Sequence, residues 1–146
     1  MAEATTNKSV ERIARGMAHM PYMAHLGMEF VEGGDGWVKL RLPFKKENTT
    51  AADALHGGAI ASLIDTTGSL AAWTTAELGN RRYFGSTVAV TVNYLSGIIA
   101  EDCYAEGRVL KRGKEIIYSD VRVTNPEGKL CAQGNVIYRI IDRVEG

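Results

Sequence analysis

Apolar and polar residues follow two different periodicities along the chain, and the first helical stretch lies near its beginning. Over about residues 10–20 the apolar positions recur at helical spacing: Val10, Ile13, Ala14 and Met17. This pattern predicts a short helix that Asn7 or Ser9 caps and that Pro21 ends. About residues 1–24 then form an N-terminal extension that includes this helix and is frayed at its start.

A longer helical pattern begins at His56-Gly57-Gly58 and runs to about Glu77, with Gly79 as its stop. The segment is rich in alanine, leucine and isoleucine, and Asp65 is its one charged residue before Glu77. A helix without a wide polar face is usually surrounded by other elements. The pattern therefore predicts a long central helix that other elements cover.

Alternation of apolar and polar positions, bounded by turn residues, predicts β-strands in the rest of the chain. The expected strands cover about residues 28–31, 37–42, 86–94, 101–110, 115–124 and 129–141. A polar loop over residues 44–55 separates the second strand from the long helix. One face of the third strand is expected to carry Val88, Val90, Val92 and Tyr94.

The order of these elements is short helix, two strands, long helix and four strands, which indicates an α+β architecture. A two-stranded ribbon cannot bury a long apolar helix, whereas one antiparallel sheet curled around it can. No internal repeat or linker interrupts the pattern. We therefore expect residues 1–146 to form a single domain.

Composition and charge narrow the class of protein further. Lysine plus arginine and aspartate plus glutamate number 17 each, so the formal net charge is zero, which argues against nucleic-acid or membrane-surface binding. Cys103 and Cys131 lack metal-site spacing and are expected to lie buried in strands, as in a cytoplasmic protein. We expect no signal peptide, no membrane span and no bound metal.

The candidate chemistry lies on the long helix. His56-Gly57-Gly58 stands where a helix N-terminus carries unpaired N–H groups and partial positive charge, and glycines let a carbonyl oxygen approach the backbone. The alternative is that the glycines only relieve crowding against the sheet. His56 is expected to cap the helix rather than to act directly in catalysis. His19 and His25 have no evident partner and are expected to be surface or core residues.

Asp65 lies two turns further along the same helix. A lone acid in an uncharged helix is costly unless it is paired or solvated, and Ser62, Thr66 and Ser69 form a polar stripe beside it. Its role is either catalytic or structural, as an acid bonded to a facing strand. No G-x-S-x-G elbow, phosphate loop or dinucleotide fingerprint is present, which excludes those classes of site.

Three segments carry a resemblance to a known family. Leu55–Asp65 reads L-H-G-G-A-I-A-S-L-I-D and resembles the H-G-G-x6-D signature of hotdog-fold acyl-CoA thioesterases, particularly the phenylacetyl-CoA thioesterase-like group. Thr87–Leu95 resembles their strand after the helix, while Lys111–Glu115 and Glu127–Ala132 resemble their last hairpin. The resemblance covers about residues 25–141. It implies a hotdog fold and hydrolysis of an acyl-CoA thioester without a cofactor, since coenzyme A belongs to the substrate.

The resemblance also implies roles for individual residues. Asp65 would be the nucleophile or the general base that activates water, and the Gly58 N–H would polarise the thioester carbonyl. His56 and Gly57 would shape that loop, and Thr87 matches a hydroxyl near the attacking water. The chain departs from the family six residues before the histidine, where relatives often carry asparagine. Thr50 stands there, and Asn48 lies close by but out of register.

Given these roles, the spacing predicts a site assembled from two chains. Gly58 and Asp65 are seven residues apart, or roughly 10 Å along one helix, whereas both should lie about 3 Å from one carbonyl. Two antiparallel helices in a homodimer satisfy this, and dimers could pair into a homotetramer. Four basic residues near the turn at Gly113 are candidates to hold the CoA phosphates, the alternative being a solvated hairpin tip: Arg108, Lys111, Arg112 and Lys114.

Two other functions remain open at this stage. A non-catalytic module could use the same groove to bind acyl-CoA, and the departure at Thr50 favours that alternative. A hotdog dehydratase or hydratase fits less well, because the acid and the glycines follow thioesterase spacing. The sequence does not define the acyl chain.

Overall fold

The computed structural model describes residues 7–77 and 82–143. Three helices and six strands form: α1 (Lys8–Gly16), α2 (Pro21–Leu26), β1 (Glu29–Gly34), β2 (Trp37–Leu42), α3 (Gly57–Trp73), β3 (Arg82–Tyr94), β4 (Cys103–Arg112), β5 (Ile116–Thr124) and β6 (Leu130–Arg143). They follow the predicted order, except that α2 is an additional short helix. The strands form one antiparallel sheet in the order β1-β2-β4-β5-β6-β3. This sheet packs around α3, so the predicted α+β hotdog architecture is confirmed.

The central helix contacts the sheet at glycines, where a side chain would collide with the opposite element. A Cβ on Gly68 of α3 would lie 2.5 Å from Val136 Cγ2, and one on Gly107 of β4 would lie 3.0 Å from the carbonyl oxygen of Thr67. Leu63 and Ile64 are fully buried beside these contacts. The apolar face of α3 is thereby fixed against the sheet, which holds its polar stripe in one orientation.

The N-terminal segment differs from the prediction in its second half. Asn7 caps α1 as expected, since its side chain accepts hydrogen bonds from the N–H groups of Ser9 and Val10. The first helical run ends before Pro21 as predicted, since Met20 is extended with ψ of 112°. Pro21 then begins a second, unpredicted helix, α2, where the missing proline N–H costs nothing because the first helical N–H groups have no intrahelical partner.

The central helix ends earlier than predicted, at Trp73 rather than near Glu77. The Thr74 hydroxyl donates to the Ala71 carbonyl at 2.6 Å and accepts the Gly36 N–H at 2.8 Å. These side-chain bonds satisfy groups at the helix end and join it to the β1–β2 turn, so the chain can leave the helix without a glycine. Gly79, the predicted stop, lies outside the described residues.

Strand β3 is an edge strand with a bulge that the alternating pattern does not predict. Thr87 pairs with Tyr138 and Ala89 with Ile137, so Val88 is an extra residue in the ladder. The expected four-residue face is therefore wrong at Val88. The other three expected members of that face, Val90, Val92 and Tyr94, stay opposite Val136, Gly134 and Ala132.

The two cysteines behave as predicted. Cys103 and Cys131 are free thiols buried at the starts of β4 and β6, and burial raises the pKa of Cys103 to about 12. No cluster of metal-binding side chains occurs in residues 7–77 and 82–143. Among the helices of those two ranges, none has the length and apolar character needed to cross a bilayer.

Candidate active site

The start of α3 leaves one backbone donor open. His56 is the N-cap, and its Nδ1 accepts the Gly58 N–H at 2.7 Å. The N–H groups of Ala59 and Ile60 bond to the His56 carbonyl at 2.9 and 3.2 Å. Within the described residues, the Gly57 N–H has no hydrogen-bond partner. It is therefore the donor that a substrate oxygen can reach at the positive end of the helix.

This geometry corrects the expected role of Gly58. Its N–H is occupied by the cap, and a Cβ at Gly58 would lie 2.9 Å from His56 Nδ1, so glycine is needed there to seat the imidazole. A Cβ at Gly57 would lie 3.4 Å from the ring of Tyr94, whose hydroxyl donates to the Gly57 carbonyl at 2.7 Å. The predicted capping role of His56 is present, and the open donor lies one residue earlier than expected.

The loop before the helix holds His56 through Asn48. The Asn48 carbonyl accepts the His56 N–H at 2.8 Å, and the buried Asn48 side chain donates to the Leu26 carbonyl at 2.7 Å. This amide joins α2 to the loop and is not directed at a substrate. Thr50 is exposed, and within the described residues its hydroxyl has only a 3.5 Å contact, with the Ala51 carbonyl. Position 50 therefore offers a hydroxyl and not an amide.

An ion pair fixes the beginning of the same loop. Asp102 accepts the Phe44 N–H at 2.7 Å and a 2.8 Å bond from Arg41, which also pairs with Glu29. The Phe44 N–H and the Arg41 guanidinium lower the pKa of Asp102, so this carboxylate stays ionised. The loop is thus held at its beginning by Asp102 and near its end by Asn48.

Asp65 forms a polar cluster with the edge strand. Thr87 donates to Asp65 Oδ1 at 2.7 Å, while the Ser69 hydroxyl lies 3.4 Å from the same oxygen and 3.5 Å from Thr87 Oγ1. Ser69 uses its proton at 2.7 Å on the Asp65 carbonyl. Within the described residues, Asp65 Oδ2 has no partner, and the side chain is only half-buried. That oxygen is available to take a proton from water or to attack a carbonyl carbon.

Tyr138 lies next to this cluster on β6, opposite Thr87. Its hydroxyl accepts the Trp73 indole N–H at 3.0 Å. Burial raises the pKa of Tyr138, the Trp73 bond opposes this, and the charge of Asp65 raises it further. Tyr138 therefore remains a neutral phenol beside the carboxylate.

The chain does not bring its two candidate groups together. Gly57 and Asp65 are eight residues apart on one straight helix, or about 12 Å along its axis. Asp65 bonds to β3, whereas the open N–H lies at the helix start. One carbonyl group cannot contact both within a single chain.

The basic residues near Gly113 fall into two groups. Arg108 lies earlier in β4, away from the turn. It forms an ion pair with Glu106 and stacks 5.2 Å from the centre of the Trp37 ring. Arg112 folds back onto the carbonyls of Gly113 and Lys114. The hairpin tip thus keeps three of the four predicted cations together and separates Arg108 from them.

Sequence reasoning missed two tyrosines that contact the long helix. Tyr94 binds the Gly57 carbonyl, and Tyr22 of α2 shares a 2.8 Å hydrogen bond with Ser62. Tyr94 was detectable only as an apolar position of β3, because its hydroxyl contact spans 37 residues. No sequence pattern around Tyr22 or Tyr94 indicates that they contact the long helix.

Comparison with known proteins agrees with the fold and the site region. A sequence model of the thioesterase superfamily matches residues 53–132. Human acyl-coenzyme A thioesterase 13 is 34% identical over 106 residues, covering 71% of this chain and 73% of the relative. The structure of zebra fish thioesterase superfamily member 2 has 29% identity and a TM-score of 0.76, covering 92% and 97% of the two chains. A Haemophilus influenzae thioesterase shares the fold, with a TM-score of 0.84, 23% identity and coverage of 99% and 98%.

Proposed function

Because the chain belongs to the thioesterase superfamily and is a thioester hydrolase, we propose that its substrate is an acyl-CoA and that Asp65 performs the chemistry. The observation that carries the proposal is the half-buried Asp65 carboxylate, with Oδ1 held by Thr87 and Oδ2 open. A carboxylate oriented through one oxygen presents the other in a defined direction. The similarity to human acyl-coenzyme A thioesterase 13 supports the choice of acyl-CoA.

In the proposed reaction, Asp65 Oδ2 takes a proton from water while the water oxygen attacks the thioester carbon. The tetrahedral intermediate then collapses, the C–S bond breaks, and the proton on Asp65 neutralises the departing CoA thiolate. Direct attack by Oδ2 is the other route. It forms a mixed anhydride and releases CoA, and water then hydrolyses the anhydride. Both routes need a donor for the carbonyl oxygen, a role we assign to the Gly57 N–H.

The donor is proposed to come from a second copy of the chain. The sheet ends at β3, the strand that binds Asp65, and this edge exposes apolar side chains: Val88, Val90 and Tyr94. An unpaired edge with apolar side chains favours pairing with another strand. A two-fold dimer along this edge would set Gly57 of the second copy opposite Asp65 and complete two equal sites.

Release of free thiol from a panel of acyl-CoAs tests the proposal. Thiol release that depends on Asp65 supports an acyl-CoA thioesterase. Saturable binding of acyl-CoA without thiol release would instead indicate a binding module. Hydration of crotonyl-CoA in the same panel would indicate a hydratase.

We also propose that the hairpin tip binds the CoA phosphates, and this gives a testable prediction. Replacing Lys111 and Arg112 with glutamine should raise KM roughly three- to tenfold, as expected for the loss of one or two exposed ion pairs. The kcat value should not change, because the phosphates lie far from the reacting carbon. KM measured between low and high salt should vary less than in the wild type.

The matched control for this variant is Arg122→Gln, which removes an exposed arginine of β5 that pairs with Asp120 of the same strand. Its KM should match that of the wild type. An unchanged KM and salt dependence in the double variant would locate the phosphates elsewhere.

A further inference from the structure

A groove of about 630 Å³ runs between the N-terminal helices and the second half of α3. The N-terminal side is formed mainly by Ile13, Gly16, Met17, Met20 and Met23. Leu70 and Trp73 of α3 lie on the other side. The Ser9 hydroxyl also lines the groove, but its proton is not available to a ligand because it is donated to the Ala76 carbonyl at 2.9 Å. Arg12 also lines the groove, as an exposed side chain.

One end of this groove adjoins the candidate catalytic carboxylate. Ser69 lines the groove, and its hydroxyl lies 3.4 Å from Asp65 Oδ1 and 3.5 Å from Thr87 Oγ1. A substrate whose carbonyl carbon lies at Asp65 therefore has an apolar channel directly beside the reacting atom. Small-molecule sites are commonly concave and largely apolar with a few polar groups, which matches this lining.

An aromatic pair, Trp73 with Tyr138, also lines the groove. Trp73 donates to the Tyr138 hydroxyl at 3.0 Å, and the two rings meet edge to face with centroids 6.2 Å apart. Trp73 is eight residues beyond Asp65 on α3, or about 12 Å along the helix axis, roughly the length of an eight- to ten-carbon chain. Methionine side chains on the opposite wall are flexible enough to follow such a chain.

We propose that this groove holds the acyl chain of the substrate and favours apolar acyl groups long enough to reach Trp73, about eight to ten carbons. The inference rests on the proposed function, since it takes Asp65 as the position of the thioester carbon. Apart from the exposed Arg12, the lining residues offer no cation for the CoA phosphates, whereas their apolar side chains suit an aliphatic chain. Specificity is then set largely by the N-terminal helices, which form one wall.

Gly16 allows the groove to be filled without disturbing the backbone. Its φ and ψ are −79° and −26°, a helical conformation that any residue adopts, and a Cβ built there meets no atom within 4 Å. Gly16→Phe should reduce kcat/KM for decanoyl-CoA on the order of ten- to 200-fold, the discrimination typical of a steric change in an apolar pocket. For acetyl-CoA, kcat/KM should stay within about twofold of the wild-type value, because its acyl group does not extend past Ser69.

The matched control is Ala18→Phe, which adds the same side chain to an exposed position outside the groove. It should leave the ratio of decanoyl- to acetyl-CoA activity unchanged. Equal losses for both substrates in Gly16→Phe, or no loss for either, would overturn the proposal. Activity on neither substrate in the wild type would count against the proposed function rather than the groove.

A binding measurement tests, independently of hydrolysis, whether an apolar chain binds in the groove. In a Trp37→Phe background the remaining tryptophan is Trp73, which lines the groove. Titration with free decanoate should change its fluorescence saturably, whereas acetate should not. The absence of a decanoate-dependent change would exclude an apolar chain from the groove, whether or not Gly16→Phe folds.

Discussion

Replacing Asp65 with asparagine is expected to lower kcat by about 10²–10⁴-fold, the usual loss for a positioned general base. Asparagine keeps the shape of the side chain and can still accept the Thr87 hydrogen bond, which is 2.7 Å long in the native chain. It cannot take a proton from water or form the anhydride. KM should change little, because the carboxylate acts mainly in the transition state.

The measurement is steady-state thiol release, with circular dichroism to establish that the variant is folded. Thr87→Val is an informative companion, since it removes the hydroxyl that orients Oδ1 and leaves the carboxylate. Its loss should be smaller than that of Asp65→Asn. A folded Asp65→Asn protein with near-normal kcat would assign Asp65 a purely structural role.

Replacing Gly57 with proline is expected to lower kcat by about 10²–10³-fold, the cost of removing one donor to an oxyanion. Proline deletes the open N–H and is tolerated here, because Gly57 is the first helical residue. The preceding residue, His56, has ψ of 134°, an extended conformation that suits a residue before proline. The control is Gly57→Ala, which adds a Cβ near Tyr94 but keeps the N–H. Alanine should retain much more activity than proline.

Mixing the Asp65→Asn and Gly57→Pro variants tests whether the active site is shared between two chains. If Asp65 of one chain works with Gly57 of another, a mixed dimer of Asp65→Asn and Gly57→Pro chains contains one intact site of two. Random pairing of equal amounts makes half the dimers mixed, so co-refolding should restore about a quarter of wild-type activity. Folded variants that exchange subunits yet remain inactive together would exclude the shared site.

The parts of the site that are local in sequence could be predicted. The glycines at a helix start, the acid two turns later and the strand with Thr87 follow from periodicity and spacing. Which glycine N–H is open could not, because it depends on the imidazole of His56 turning Nδ1 toward Gly58. The sequence offers two adjacent donors, and a side-chain rotamer selects between them.

Other departures have the same origin in long-range contacts. The Asn48 amide is committed to the Leu26 carbonyl, 22 residues earlier, which only the folded chain reveals. Pro21 can begin a helix as well as end one, and the sequence alone does not decide between them. The groove requires α1 and α2 to lie against α3, so no single segment contains its pattern.

Because Cys103 and Cys131 are buried, the native protein should not react with reagents that titrate sulfhydryls. Both side chains are about 1% exposed or less, and burial raises the pKa of each thiol, so neither supplies a reactive thiolate at neutral pH. When thiol release is followed with a disulfide reagent that gives a coloured product, the colour therefore measures only the thiol of released CoA. In denaturant, each chain that unfolds exposes both cysteines. The number of reactive thiols, two for each unfolded chain, therefore measures global unfolding.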